Sequence, residues 1–159
     1  MIGIIENAIL KRLESSDMFK GMDIESFPAN FENYHFTSAL GCLLVKYNQE
    51  DFSEPETLAA TVQTDTYSFC IYLGLRSLTL LNEANPVIQE IKDLLTGFQI
   101  NGKKLYPTNI KHIGKINYSD HFWALTFKLK LTNSSQYEKN KVIQFLEPAN
   151  KDSSNKAQC

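Results

Sequence analysis

Two hydrophobic periods alternate along this chain, and their order predicts its elements. Ile2, Ile5, Ile9 and Leu13 recur at spacings of three, four and four, one apolar stripe of a helix, with Glu6, Lys11 and Glu14 off it. "ESSDMFKGMD" closes that helix, with Gly21 at a turn position. An extended piece follows from Ile24 to Phe31, interrupted by Pro28. Ser38 to Tyr47 is then a continuous apolar run, short enough for a strand buried on both faces. In "TYSFCIYLGL" the period drops to two. Tyr67, Phe69, Ile71, Leu73 and Leu75 share one face; Ser68, Cys70, Tyr72 and Gly74 share the other.

The helical period returns after Asn85, read as an N-cap, with Pro86 at the first helical position and Gly97 where a left-handed C-terminal cap belongs. Val87, Ile91, Leu94, Leu95 and Phe98 make its stripe, while Gln89, Glu90, Lys92 and Asp93 face away. Asn101-Gly102 marks a turn within "NGKK". Leu105 to Ile116 predicts a strand, "NYSD" a connection, and the last strand alternates again. His121, Trp123, Leu125, Phe127, Leu129 and Leu131 lie on one face, and Phe122, Ala124, Thr126, Lys128 and Lys130 on the other. These last two strands are expected to pair as an antiparallel hairpin. The fold class that follows is α+β: a mixed, mainly antiparallel β-sheet with two amphipathic helices packed on one face.

From about Thr132 the chain turns Ser/Asn/Lys-rich, with one apolar island at Val142, Ile143, Phe145 and Leu146. Residues 1–133 are therefore read as one domain and 134–159 as a polar C-terminal arm whose island can dock on a neighbour. A length of 159 residues with 43% apolar and 21% charged residues is that of an ordinary globular domain. Net charge is −2, but it is unevenly spread. Met1 to Phe98 carries 14 acidic and 6 basic residues, Gln99 to Cys159 carries 4 and 10. Neither a dedicated nucleic-acid binder nor a membrane-surface protein is expected from this balance. Cys42, Cys70 and Cys159 are odd in number and far apart, which points to a reducing compartment rather than a disulfide framework. The opening residues lack a signal-peptide pattern, and no run reaches the roughly 20 apolar residues of a membrane span. A soluble protein made in the cytosol is expected.

Chemistry is sparse. The chain holds no Gly-rich phosphate loop, no CxxC and no HExxH. "NQEDFSEPETLAA" (Asn48 to Ala60) reads as an acidic loop carrying Glu50, Asp51, Glu54 and Glu56; it lacks the fixed Gly and Asn/Asp offsets of a cation loop, so a solvated or partner-facing role is expected. His112 and His121 flank the final hairpin and can approach each other, but with no carboxylate or thiol beside them they are read as strand-end residues at a polar rim. A Cys70–His35 nucleophile pair has no activating surroundings in the sequence. Phe122, Trp123 and Phe127 with two lysines evoke a single-strand nucleic-acid platform, yet the alternation puts Trp123 and Phe127 on the core face. No catalytic residue, metal or cofactor is assigned.

A domain without chemistry works through its surfaces. Opposed charges in the two halves allow copies to meet head to tail, and such a heterologous contact makes a ring when it closes. Three stretches, "MIGIIENAILKRLES", "PVIQEIKDLLTGFQING" before "KKLYP", and "DHFWALTFKLKL", resemble the minor tail proteins of Mu-like phages that act as tail terminators, over roughly residues 1–133. The resemblance implies a non-enzymatic virion subunit assembled in the host cytoplasm. It implies a hexameric ring of identical copies at the head-proximal end of the tail, which stops the tube (and any sheath) from growing and offers a surface to the head connector. The acidic Asn48 to Ala60 loop and the long C-terminus depart from that pattern. Candidate contacts are Glu50, Asp51, Glu54, Glu56, Lys103, Lys104, Val142, Ile143, Phe145 and Leu146. A different head–tail connector or tail adaptor, and a small cytosolic regulatory domain that binds a metabolite, are the alternatives.

Overall fold

The computed structural model describes residues 1–35, 37–54, 62–76, 84–115 and 120–134. Helix α1 (Ile2–Glu14) buries Ile5, Ile9 and Leu13 of the predicted stripe, with Ile2 partly buried against the same core. A single 3-10 turn, Asp17–Phe19, follows, capped by the Ser16 hydroxyl, which accepts from the Met18 amide at 3.3 Å. The remaining elements are β1 (Asp23–Ser26), a second 3-10 turn (Phe31–Asn33), β2 (Gly41–Phe52), β3 (Val62–Arg76), α2 (Ala84–Leu95), β4 (Gln99–Ile100), β5 (Lys103–Lys104), β6 (Tyr106–Lys115) and β7 (Asp120–Ser134).

Five strands form one mixed, mainly antiparallel sheet in the order β1-β2-β3-β7-β6. β1 runs parallel to β2, with Asp23 beside Cys42 and Ser26 beside Val45. β6 and β7 form the antiparallel hairpin expected from their alternation, with bulges between Pro107 and Asn109 and between His112 and Gly114. The β3–β7 pair is antiparallel too: Gly74 lies against Phe122, and four residues back along β3 the Cys70 thiol bonds to Thr126. β4 and β5 make a separate two-stranded ribbon. Its two-residue loop has Asn101 at φ 51° and Gly102 at φ 74°, the pair of positive φ angles that a tight hairpin turn demands.

The chain divides into two compact units, Met1–Asp51 with Thr66–Leu131, and Phe52–Asp65 with Thr132–Cys159. The first holds the core. On one face of its sheet, Phe69, Ile71, Leu73, Leu125, Phe127 and Leu129 pack with Ile5, Ile9 and Leu13 of α1 and Ile91 and Leu95 of α2. Both helices thus cover the same face, as the patterning predicts. The opposite face carries a smaller cluster, Cys42, Leu44 and Phe122 under Phe27, Phe31, Tyr34 and Tyr72. Phe31 anchors it, stacking on Phe27 at 4.8 Å and meeting Phe122 edge-on at 5.4 Å. Gly41 to Val45 is apolar throughout because this stretch of β2 is covered on both sides. In the second unit, Ser53 ties its own stretch to β3. Its amide donates to the Thr64 carbonyl at 3.0 Å, and its hydroxyl accepts from the Thr64 amide at 2.8 Å.

Three expectations are corrected. Asn48 to Phe52 is not loop but the end of β2; a backbone ladder holds polar residues extended wherever a partner strand lies alongside, so side-chain polarity does not mark the strand's end. Asn85 is not an N-cap, and Pro86 is the third helical residue, because α2 begins at Ala84. Ala84 is 3% exposed in the core, and its burial draws the first turn back by a residue or two. Pro86 is tolerated there because first-turn amides have no intrahelical acceptor. Glu90 does not face away: it is half-buried and accepts from the Ser16 hydroxyl at 2.7 Å.

A second tie joins the two helices. Arg12 Nε donates to the Leu94 carbonyl, one of the unpaired acceptors at the end of α2, at 3.1 Å, and its guanidinium lies 5.3 Å above the Phe98 ring. Arg12→Ala is expected to lower unfolding free energy by about 1–2 kcal/mol through these two contacts. A urea titration reads the loss as a shifted midpoint with an unchanged slope.

Candidate functional site

The acidic and basic halves of the sequence supply opposite edges of the sheet. β1 is one edge strand and β6 the other, and among the described residues no strand pairs with the outer side of either. On β1, Asp23 and Glu25 share the face of Cys42 and Leu44, while Ile24 faces the helices with Leu43. Beside this edge opens a cavity of about 500 Å³ lined by Glu14, Phe19, Met22, Asp23, Ile24, Glu25, His35 and Thr37. At the far edge, residues 108–113 of β6 are all exposed, including Ile110, Lys111 and Ile113. Lys111 lies opposite Ala124 and Ile110 opposite Leu125, so the lysine and the isoleucine point to opposite faces.

Asp23 is built into its position. Its carboxylate accepts from the Thr37 amide at 2.6 Å, the Ser38 amide at 3.1 Å and the Thr37 hydroxyl at 3.1 Å. Partial burial pushes the carboxyl up, but the Ser38 and Thr37 bonds and the charge of Arg76 together outweigh it, and its pKa sits below the usual 3.8. A carboxyl depressed in the folded state stabilises the fold above its unfolded pKa and loses that contribution as pH falls through the folded value. Asp23→Asn should therefore be less stable than wild type at pH 7, with the gap closing as pH drops from 4 towards 2; thermal melts across that range measure it. Glu25 accepts from the Tyr34 hydroxyl, and burial, with this bond, raises the Tyr34 pKa.

The predicted contact residues fall on separate surfaces. Glu50 is half-buried and Asp51 exposed on β2, Asp51 accepting from Gln49 Nε2 at 3.0 Å, and Glu54 is exposed just beyond that strand. Lys103 and Lys104 are exposed on the β4–β5 ribbon. Glu56, Val142, Ile143, Phe145 and Leu146 lie outside the described residues. Asp23, Glu25, Ile110 and Lys111 carry no motif that marks them in the sequence. Their signal, short charged alternation in two strands, carries weight only once those strands are known to be edges.

His112 and His121 do approach each other, with ring centroids 6.1 Å apart and planes within 13° of parallel. His121 is not at a polar rim, however. It is 6% exposed, and among the described residues both its ring nitrogens lack a hydrogen-bond partner. The alternation of β7 turns it inward with Trp123, whose ring lies 6.3 Å away. Among the described residues no group of three or more His, Cys, Asp or Glu could hold a metal ion. Cys42 and Cys70 are equally unsuited to nucleophilic chemistry. Burial pushes the Cys42 thiol up to about 12, and it raises Cys70 against the opposing bonds to Tyr72 and Thr126. Cys70 sits mid-strand in β3, whereas His35 lines the cavity beside β1. A thiol held protonated is a poor nucleophile. Trp123 and Phe127 belong to the core, as the alternation predicts, so no stacking platform forms from them. No helix among the described residues is long and apolar enough to cross a membrane.

No curated protein matches this chain. Among solved structures, the fold is shared with a chain of the "Virion of native gene transfer agent (GTA) particle". The match has a TM-score of 0.57 and covers 83% of this chain and 97% of that one at 13% identity. The family model described as Gp37 protein matches residues 9–145, from the middle of α1 past the end of β7. Since that match takes in nearly the whole domain, the chain belongs to the Gp37 protein family.

Proposed function

We propose that this protein is a structural subunit of a phage or phage-derived virion. Its specific role is a tail terminator: a ring of about six identical copies at the head-proximal end of the tail. The observation that carries this reading is the fold likeness extending over 97% of a chain from a gene transfer agent virion, joined to membership of the Gp37 family. The molecule's own features support it. Charge is segregated to opposite sheet edges, which suits a heterologous contact that closes on itself. Cys42 and Cys70 are held protonated, and the stacked His112 and His121 have no third ligand among the described residues, which supports a subunit that acts by contact rather than catalysis. Its partners are further copies of itself, the tail tube and any sheath, and the head connector. It works in the virion tail after assembly in the host cytoplasm.

The test is absolute mass by light scattering after gel filtration at low and high salt, with negative-stain imaging, alone and with tail tubes. Closed rings, or capped tubes of uniform length, are expected. Particles lacking the protein should carry overlong tubes. Tubes of normal length that fail to join heads would make it a connector component instead. A compact dimer that ignores tubes and gains thermal stability from a metabolite would overturn the reading.

A further inference from the structure

We infer that copies of this chain join edge to edge, the β6 strand of one copy adding to the β1 strand of the next as an antiparallel extension of the sheet. The inference rests on the ring reading above and names the surfaces that would build it. Strand direction is the first ground. β1 runs with β2, and β7 runs against both β3 and β6. β2 runs against β3, because Cys42 meets Gly74 at one end of the pair and Ser53 meets Thr64 at the other. β1 and β6 therefore point in opposite directions. Two copies side by side with the same face outward would bring them together antiparallel, the more stable pairing.

Side-chain complementarity is the second ground. In such a continued sheet each face meets its own kind. On the face of Cys42, Glu25 on β1 comes opposite Lys111 on β6, with Asp23 diagonal to that lysine. On the helix-covered face, Ile24 comes diagonal to Ile110, which is 43% exposed in the free chain. A one-residue slip would set Lys111 against Ile24 and Ile110 against the carboxylates, so the pattern itself specifies the register. Space is the third ground. The cavity beside β1 combines apolar Phe19, Met22 and Ile24 with acidic Glu14, Asp23 and Glu25, a lining suited to a strand with one apolar and one basic side. β1 has only four residues. Each contact is therefore short, and a closed ring that holds every copy on two sides is favoured over an isolated dimer.

Glu25 and Lys111 are both exposed, so each can be reversed and the fold checked by circular-dichroism melting. Glu25→Lys alone and Lys111→Glu alone should each weaken assembly about tenfold, read by light scattering over a concentration series, with or without tail tubes. The Glu25→Lys/Lys111→Glu double variant should assemble again. An equimolar mixture of the two single variants should do so as well, since alternating copies restore opposite charges at every contact. Wild-type assembly should weaken with added salt. Single variants that assemble as wild type does, or a double variant and mixture that stay dissociated, overturn the edge contact while leaving the ring reading intact. A wild-type chain that remains monomeric with and without tail tubes overturns both.

Discussion

Gly41→Ala is expected to cost about 3 kcal/mol or more, enough to leave much of a marginally stable domain unfolded. Gly41 opens β2 at φ 153°, in the region open to glycine and closed to residues with a Cβ. An added Cβ would sit 2.2 Å from the Gly74 carbonyl oxygen and 3.2 Å from a Leu75 methyl. The first neighbour is backbone of β3 and cannot swing aside as a side chain would. Relief requires β2 to move away from β3, and β2 also carries β1 from Cys42 onward. Gly3→Ala is the matched control. Gly3 lies in the first turn of α1 with no described atom within 4 Å of its added Cβ, so alanine there should gain up to about 1 kcal/mol from helix propensity. Urea titrations of the two variants should move in opposite directions. A Gly41→Ala midpoint equal to wild type would show that the β2–β3 approach is looser than described.

Phe127→Ala should cost about 3–5 kcal/mol, the range for emptying a large core side chain. Phe127 is fully buried on β7, which lies between β3 and β6, and it faces the side of the sheet covered by both helices. Its core cluster draws on α1, α2 and β3, segments distant in sequence, so no single side chain can move to fill the space. Phe127→Leu should lose less, because most of the volume remains. Lys130→Ala, exposed on the same strand, should stay within about 0.5 kcal/mol of wild type. A loss at Phe127 as small as that at Lys130 would contradict the placement of the core.

The elements read most reliably from the sequence were those whose signal repeats. The α1 stripe, the inward face of β3 and the alternation of β7 each supply several residues in phase, and each face is buried as expected. The Asn101-Gly102 turn was equally legible, because two residues tolerant of positive φ sit together. Single-residue signals fared worse. Asn85 has a capping side chain, yet burial of Ala84 moved the helix start past it. Glu90 is polar, yet Ser16, 74 positions away, gave it a buried-side partner. His121 was assigned by its place at a strand end, although its phase within β7 already aligned it with Trp123. For the candidate contact surface, the opposed charge of the two chain halves is legible in the sequence, but which charged residues lie at a sheet edge is not.

What the sequence alone determines here is the set of elements and the face each one buries, because a period of 3.6 or 2 is a local property of consecutive side chains. The sheet order β1-β2-β3-β7-β6 belongs to the tertiary structure, since those pairings join residues far apart in the chain and leave no local period. That order makes β1 and β6 the edges. It is therefore the tertiary structure, not the count of acids and bases, that sets Glu25 and Lys111 at opposite edges of one sheet.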